Sequence, residues 1–176
     1  MKHIALILAA ALAVSGCADR LGGDGAGGGL SDPSGGFGAG AGAAGVVPGS
    51  VDDPTSVAHF QQRIGDRVLF AVDQSTLSPE GRAVLQRQAQ WLAANPGYTA
   101  LIEGHADEQG TREYNLALGG RRANAARDFL VLQGIDASRL RTISYGKERP
   151  IQVCSTEACY SQNRRSVTVL AAGAGV

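Results

Sequence analysis

Two side chains of opposite charge stand where they could act on one ligand. Asp107 lies in the segment Gly104-His105-Ala106-Asp107-Glu108-Gln109-Gly110, and Arg122 lies in the helical pattern that follows. A carboxylate and a guanidinium held a few ångströms apart suit a zwitterionic amino-acid group, its ammonium on Asp107 and its carboxylate on Arg122 in a bidentate fork. The same placement serves equally well for a direct Asp107–Arg122 ion pair across loop and helix. Asn115 precedes Arg122 by seven residues, so the two fall nearly on one line up a helix, with Gly119 between them. A notch flanked by an amide and a guanidinium is expected there.

These residues need elements to position them, and the sequence supplies an alternation of helices and strands. A short helix over 56–64 precedes a strand over 67–72, which stops at Asp73-Gln74-Ser75. Ser78 as N-cap and Pro79 at the first helical position open a helix in which Leu85, Ala89 and Leu92 recur at helical spacing, and Asn95-Pro96-Gly97 ends it. Further elements follow as a strand over 98–103, a helix over 113–133, a strand over 141–145, a helical turn and a strand over 165–170. In the long helix Leu116, Ala123, Ala126 and Leu130 form the stripe expected to face the sheet. The pattern defines the fold class as α/β, a two-layer sandwich of one sheet covered by helices. The sheet should be mixed, since the last strand follows too closely for a full crossover. The loop bearing Asp107 follows a strand end, where such folds place ligands. The sequence Tyr145-Gly146-Lys147 is expected to shape a turn at the sheet edge, its glycine suited to positive φ.

Composition confines the chemistry to this region. The chain has 176 residues with 16 basic and 16 acidic side chains, and 13 of its 25 glycines fall between Gly22 and Gly49. That stretch has too little to bury to offset its ordering entropy, so residues 17–56 are expected to form a flexible Gly/Ala-rich linker, with a root-mean-square span of about 35 Å. The folded domain is expected over 57–170, with 14 Lys+Arg against 11 Asp+Glu, and a flexible tail over 171–176. Zero net charge and few aromatic residues argue against nucleic acid as a partner. Three histidines, one of them His3, cannot assemble a His-rich metal site. His105 is therefore expected to brace its loop as a hydrogen-bond donor, with no metal and no cofactor. Cys154 and Cys159 offer either a nucleophile with a bystander or a disulfide. Export favours the disulfide, worth about 2 kcal/mol for so short a loop. Arg164 and Arg165 open the last strand, either as an acid-paired strand end or beside the ligand notch.

The N-terminus provides the export argument. Residues 1–16 read as a signal peptide, with Lys2 ahead of an apolar run from Ile4 to Val14. As a helix that run reaches about 17 Å, short of the roughly 30 Å hydrocarbon core of a bilayer. Val14-Ser15-Gly16-Cys17 resembles the bacterial lipobox, which implies lipidation at Cys17 and, with Ala18 following, sorting to the outer membrane.

The Gly104–Gly110 run with Thr111, then Tyr114-Asn115, Leu118-Gly119, Arg121-Arg122-Ala123-Asn124, Ser144-Tyr145-Gly146-Lys147 and Asn163-Arg164-Arg165 together resemble the peptidoglycan-associated lipoproteins of the Tol-Pal system, within the OmpA-like family. The resemblance implies noncovalent binding of the peptidoglycan stem peptide through its diaminopimelate, held by Asp107 and Arg122, with Asn115 on the same helix face. It also implies that the loop after the first strand, here Asp73, Gln74 and Ser75, approaches the ligand. That loop departs from the family's commoner Phe-Asp-Lys-Tyr-Asp. Partners implied by resemblance alone are the TolB-like periplasmic propeller protein and an inner-membrane Tol complex. The expected role is an outer-membrane lipoprotein with its domain in the periplasm, tethering membrane to wall and catalysing no reaction. Two alternatives stand beside it, a cell-wall hydrolase or amidase using His105, Asp107 and a cysteine, and a protein-only adaptor for Tol components.

Overall fold

The computed structural model describes residues 46–172. The expected signal peptide, Cys17 and the linker up to residue 45 lie outside the described residues, as do 173–176. Residues 46–56, expected as the end of the flexible linker, are instead turn structure fastened to the domain. The Trp91 indole donates to Pro54 O at 2.7 Å and the Tyr98 hydroxyl donates to Thr55 O at 3.1 Å. A buried indole N–H needs an acceptor, and this segment supplies it. The folded unit therefore begins ahead of 57.

Helix α1 (Val57–His59) is capped by Ser56, whose hydroxyl accepts from His59 N, and continues as a π-helical stretch, Phe60–Gly65. Strand β1 (Arg67–Leu69) is shorter than the run over 67–72 suggests. Beyond Leu69 the carbonyls of Phe70, Ala71 and Gln74 turn inward to the guanidiniums of Arg164 and Arg122, which draws the chain off the sheet. Helix α2 (Pro79–Ala94) starts as expected, with the Ser78 hydroxyl accepting from Gly81 N, and buries Leu85, Ala89 and Leu92. Strand β2 (Tyr98–His105), helix α3 (Arg112–Leu132), a 3-10 turn (Ala137–Arg139), strand β3 (Leu140–Gly146), helix α4 (Glu157–Asn163) and strand β4 (Arg165–Ala172) complete the order. The last strand thus runs into the residues expected as tail.

The sheet is mixed, in the order β1-β4-β2-β3. Strands β2 and β3 pair in parallel, joined across α3, while β4 is antiparallel to both β1 and β2. Helices α2 and α3 cover one face. The core between them includes Phe60, Leu85, Leu92, Ile102, Ala126 and Leu130. Phe60 and Trp91 rings meet at 5.0 Å between centroids.

Two details of α3 differ from the periodic reading. Leu116 is half exposed rather than core-directed, because β3 meets the helix backbone at that point: Ser144 Oγ donates to Leu116 O at 2.6 Å. Gly119 does not leave an open notch either. A Cβ on Gly104 would lie 1.8 Å from Gly119 O, and one on Gly119 would lie 2.5 Å from Ser144 Oγ. The gap is filled by the sheet, and the missing side chains let helix and strand backbones touch. Gly146 has a φ of +51°, as its turn requires.

Candidate functional site

Where β2 ends, the loop carrying Asp107 faces the first turns of α3 and the loop after β1. Between them lies a cavity of about 260 Å³ lined by Val72, Asp73, Asp107, Gln109, Asn115 and Leu118 among others. The space is enough to admit an amino-acid group. Asp107 and Asn115, expected together, both line it. Asn115 is buried, and its amide donates to Gln109 O at 2.7 Å, which fixes the loop against the helix.

Asp107 does not pair directly with Arg122. Its Oδ2 accepts from Arg164 Nη1 at 3.1 Å and its Oδ1 accepts from Gln109 N at 3.2 Å. Arg164 therefore unites the two roles weighed for it, paired to an acid and adjoining the cavity. Its guanidinium also donates to Phe70 O and to both carboxylate oxygens of Glu157. Burial alone would lower the Arg164 pKa, but the hydrogen bonds it donates to the Glu157 and Asp107 carboxylates hold it above its ordinary value. Reciprocally, Arg164 holds Glu157 below the usual carboxylate range.

Arg122 is 0% exposed. Nε donates to Gln74 O at 2.8 Å, Nη1 to His105 O at 2.9 Å and Nη2 to Ala71 O at 3.1 Å. The guanidinium has five N–H groups, so one remains on each terminal nitrogen. The open bidentate fork expected of Arg122 is corrected on this point: most of the group is committed to backbone carbonyls, and Arg122 lies behind the residues that line the cavity. Burial pushes its pKa down to about 10, with Asp107 opposing the fall and Arg164 adding to it.

The loop after β1 divides. Asp73 lines the cavity and is the one non-glycine residue with positive φ among the described residues, at +57°. Its carboxylate accepts a hydrogen bond from the Tyr114 hydroxyl, closing a bridge between loop and α3. That bond, ahead of burial and the Asp73 charge, raises the Tyr114 pKa. Gln74 contributes its carbonyl to Arg122 and does not line the cavity. Ser75 lines a separate groove with Leu77, Phe129 and Leu132, which removes it from the site as expected. Tyr114, which also lines the cavity, is a site residue that the sequence reading does not single out, although it stands beside Asn115.

His105 also departs from expectation. It is 1% exposed, and neither ring nitrogen has a hydrogen-bond partner, so it does not brace the loop as a donor. Its ring lies 5.6 Å from that of Tyr145. Burial, with Arg165 and Arg149 nearby, lowers its pKa to about 4. Cys154 and Cys159 are joined as a disulfide, with Cα atoms 5.8 Å apart.

The fold and this site describe a binding module in which charged groups converge on a small cavity. The sequence matches the OmpA family over residues 69–164. It is 50% identical to the peptidoglycan-associated lipoprotein of Rhizobium meliloti over 98% of this chain and 88% of that one. It is 44% identical to the protein of the same name from Pseudomonas aeruginosa over 93% of each. The crystal structure of the peptidoglycan-associated lipoprotein from Burkholderia pseudomallei matches 69% of this chain and 98% of that one, with a TM-score of 0.61 and 38% identity. The C-terminal domain of Helicobacter pylori MotB shares the fold, with a TM-score of 0.58 at 18% identity over 62% of this chain and 86% of that one. The chain belongs to the OmpA family, among its peptidoglycan-associated lipoproteins.

Proposed function

We propose that the protein is a lipid-anchored tether that binds peptidoglycan noncovalently through the diaminopimelate of its stem peptide. The observation that carries this reading is the buried Asp107 carboxylate at the wall of a cavity with room for an amino-acid group, with the Arg122 guanidinium behind it. The ligand ammonium goes to Asp107. Its carboxylate goes to the N–H groups that Arg122 has left over, with the Asn115 side chain alongside. Val72 and Asp73, from the loop after β1, form that side of the rim. The names of the relatives, all lipoproteins associated with peptidoglycan, support the same assignment.

Lipidation of Cys17 would place the anchor in the outer membrane and the domain in the periplasm. The linker beyond it gives the reach to meet the wall. A TolB-like propeller protein and the inner-membrane Tol complex are the protein partners of this reading, in envelope integrity and cell division. No reaction is assigned, and a search for released muropeptides separates this from a hydrolase.

Sedimentation with purified sacculi tests the site. Asp107→Ala and Arg122→Ala should each abolish cosedimentation, while circular dichroism reports whether the fold survives. Cosedimentation of a folded Asp107→Ala at the level of the unaltered protein would overturn the assignment. For the anchor, Cys17→Ser should release the protein from membranes.

A further inference from the structure

Asp107 must offer negative charge to bind a cation, yet a buried guanidinium already lies on it. Arg164 is 3% exposed, so its charge is met almost wholly by protein groups. What relieves Asp107 is a second carboxylate. Glu157 and Arg164 stand seven residues apart along α4 and its C-cap, hence on one line of the helix. Glu157 takes Nη2 and a share of Nη1, its Oε2 lying 3.3 Å from the latter, which leaves Asp107 with a single contact to Nη1. Within this trio one cation between two carboxylates leaves a net charge of minus one. With Glu157 neutral, the two terminal nitrogens are free to swing onto Asp107 as a fork, and the net charge is zero.

We infer that Glu157 is a positioning residue for ligand capture, holding Arg164 partly off Asp107 so that the carboxylate stays available to a ligand ammonium. The inference rests on the assignment of Asp107 as the ammonium-binding group. The disulfide belongs to the same device. Cys154 and Cys159 bracket Glu157, and the bond between them closes the loop that delivers it to Arg164. Glu157 itself does not line the cavity, and its side chain is 64% exposed. Its effect on binding therefore passes through Arg164 alone.

The test uses the full chain in detergent, titrated against purified sacculi and against sacculi whose free amino groups have been acetylated. Glu157→Gln should weaken binding to the native sacculi about fivefold, equivalent to about 1 kcal/mol. Glu157→Asp, which keeps the charge, should recover most of it. A Cys154→Ser/Cys159→Ser double variant should weaken binding in the same direction. On acetylated sacculi, where no ammonium remains for Asp107, Glu157→Gln and the unaltered protein should fall to the same residual binding. Undiminished binding by Glu157→Gln, with Asp107→Ala inactive, would overturn the inference and leave the site intact. An equal loss on both kinds of sacculi would also overturn it, as the mark of a structural defect. Full binding by Asp107→Ala would remove both readings together.

Discussion

His105 makes the stability of this domain depend on acid in a calculable way. The imidazole is buried with both nitrogens unpartnered, and its folded pKa of about 4 lies below the 6.5 of the free side chain. Between those values the unfolded chain binds a proton that the folded protein does not, so stability falls as pH drops through the window. Each unit costs about 1.4 kcal/mol, and the whole interval about 3 kcal/mol. Above pH 6.5 the ring is neutral in both states and the slope vanishes; below 4 it is charged in both. The Glu103 carboxylate, 3.5 Å from Nε2, is the nearby group that would draw a proton onto the ring, and burial with two guanidiniums outweighs it. His105→Phe keeps an aromatic ring against Tyr145 and removes the titration. Urea unfolding at pH 7.5, 6, 5 and 4.5 should give curves for the two proteins that diverge by up to about 3 kcal/mol in acid, the variant being the more resistant. Parallel curves would refute the reasoning. Divergence of the opposite sign would mean that Glu103 holds an imidazolium in the folded state.

Two further substitutions probe how the site is held. Gly104→Ala puts a Cβ 1.8 Å from Gly119 O, backbone against backbone. It should lower stability by more than about 3 kcal/mol, measured by thermal denaturation, because neither element can retreat without opening the other. Arg139→Ala removes the guanidinium that donates to Leu92 O, Asn95 O and Tyr98 O at the C-terminal end of α2. Loss of this cap should cost about 2–3 kcal/mol in urea unfolding, and sacculus binding by the remaining folded protein should be unchanged.

What the sequence disclosed followed from short-range physics. Ser78-Pro79 marks a helix start because capping and proline geometry act within one turn, and the β2 and α3 patterns repeat often enough to be read. The partner of Asp107 was not legible in that way. Arg122 and Arg164 present the same guanidinium, and which of them reaches the carboxylate depends on how β4 enters between β1 and β2, a long-range pairing with no local signal. Leu116 misled for a related reason. Periodicity gives the direction of a side chain, but not where the opposing layer approaches closely enough to meet backbone instead. The segment 46–56 reads as linker from its glycine and proline content, while its attachment lies in acceptors for Trp91 and Tyr98 that composition does not reveal.

The same two guanidiniums serve both the fold and the proposed site, and this bears on how a binding module can hold a ligand without altering it. Arg164 takes the carbonyl of Phe70, and Arg122 takes those of Ala71, Gln74 and His105. The loop after β1 and the end of β2 are thereby fixed to α3 and β4 before any ligand arrives. Asp73, held in the left-handed region and bonded to Tyr114, completes the rim from the same loop. A site whose walls are ordered by folding leaves little entropy to be lost on association, so a small contact area can still give useful affinity. The cost falls on the fold, in charged groups buried among carbonyls, and it is met by hydrogen bonds that ligand binding has no need to break. Arg122 in particular keeps three of its bonds to the protein while two N–H groups remain for a carboxylate. On the proposed assignment, ligand binding leaves those three bonds in place and the core undisturbed.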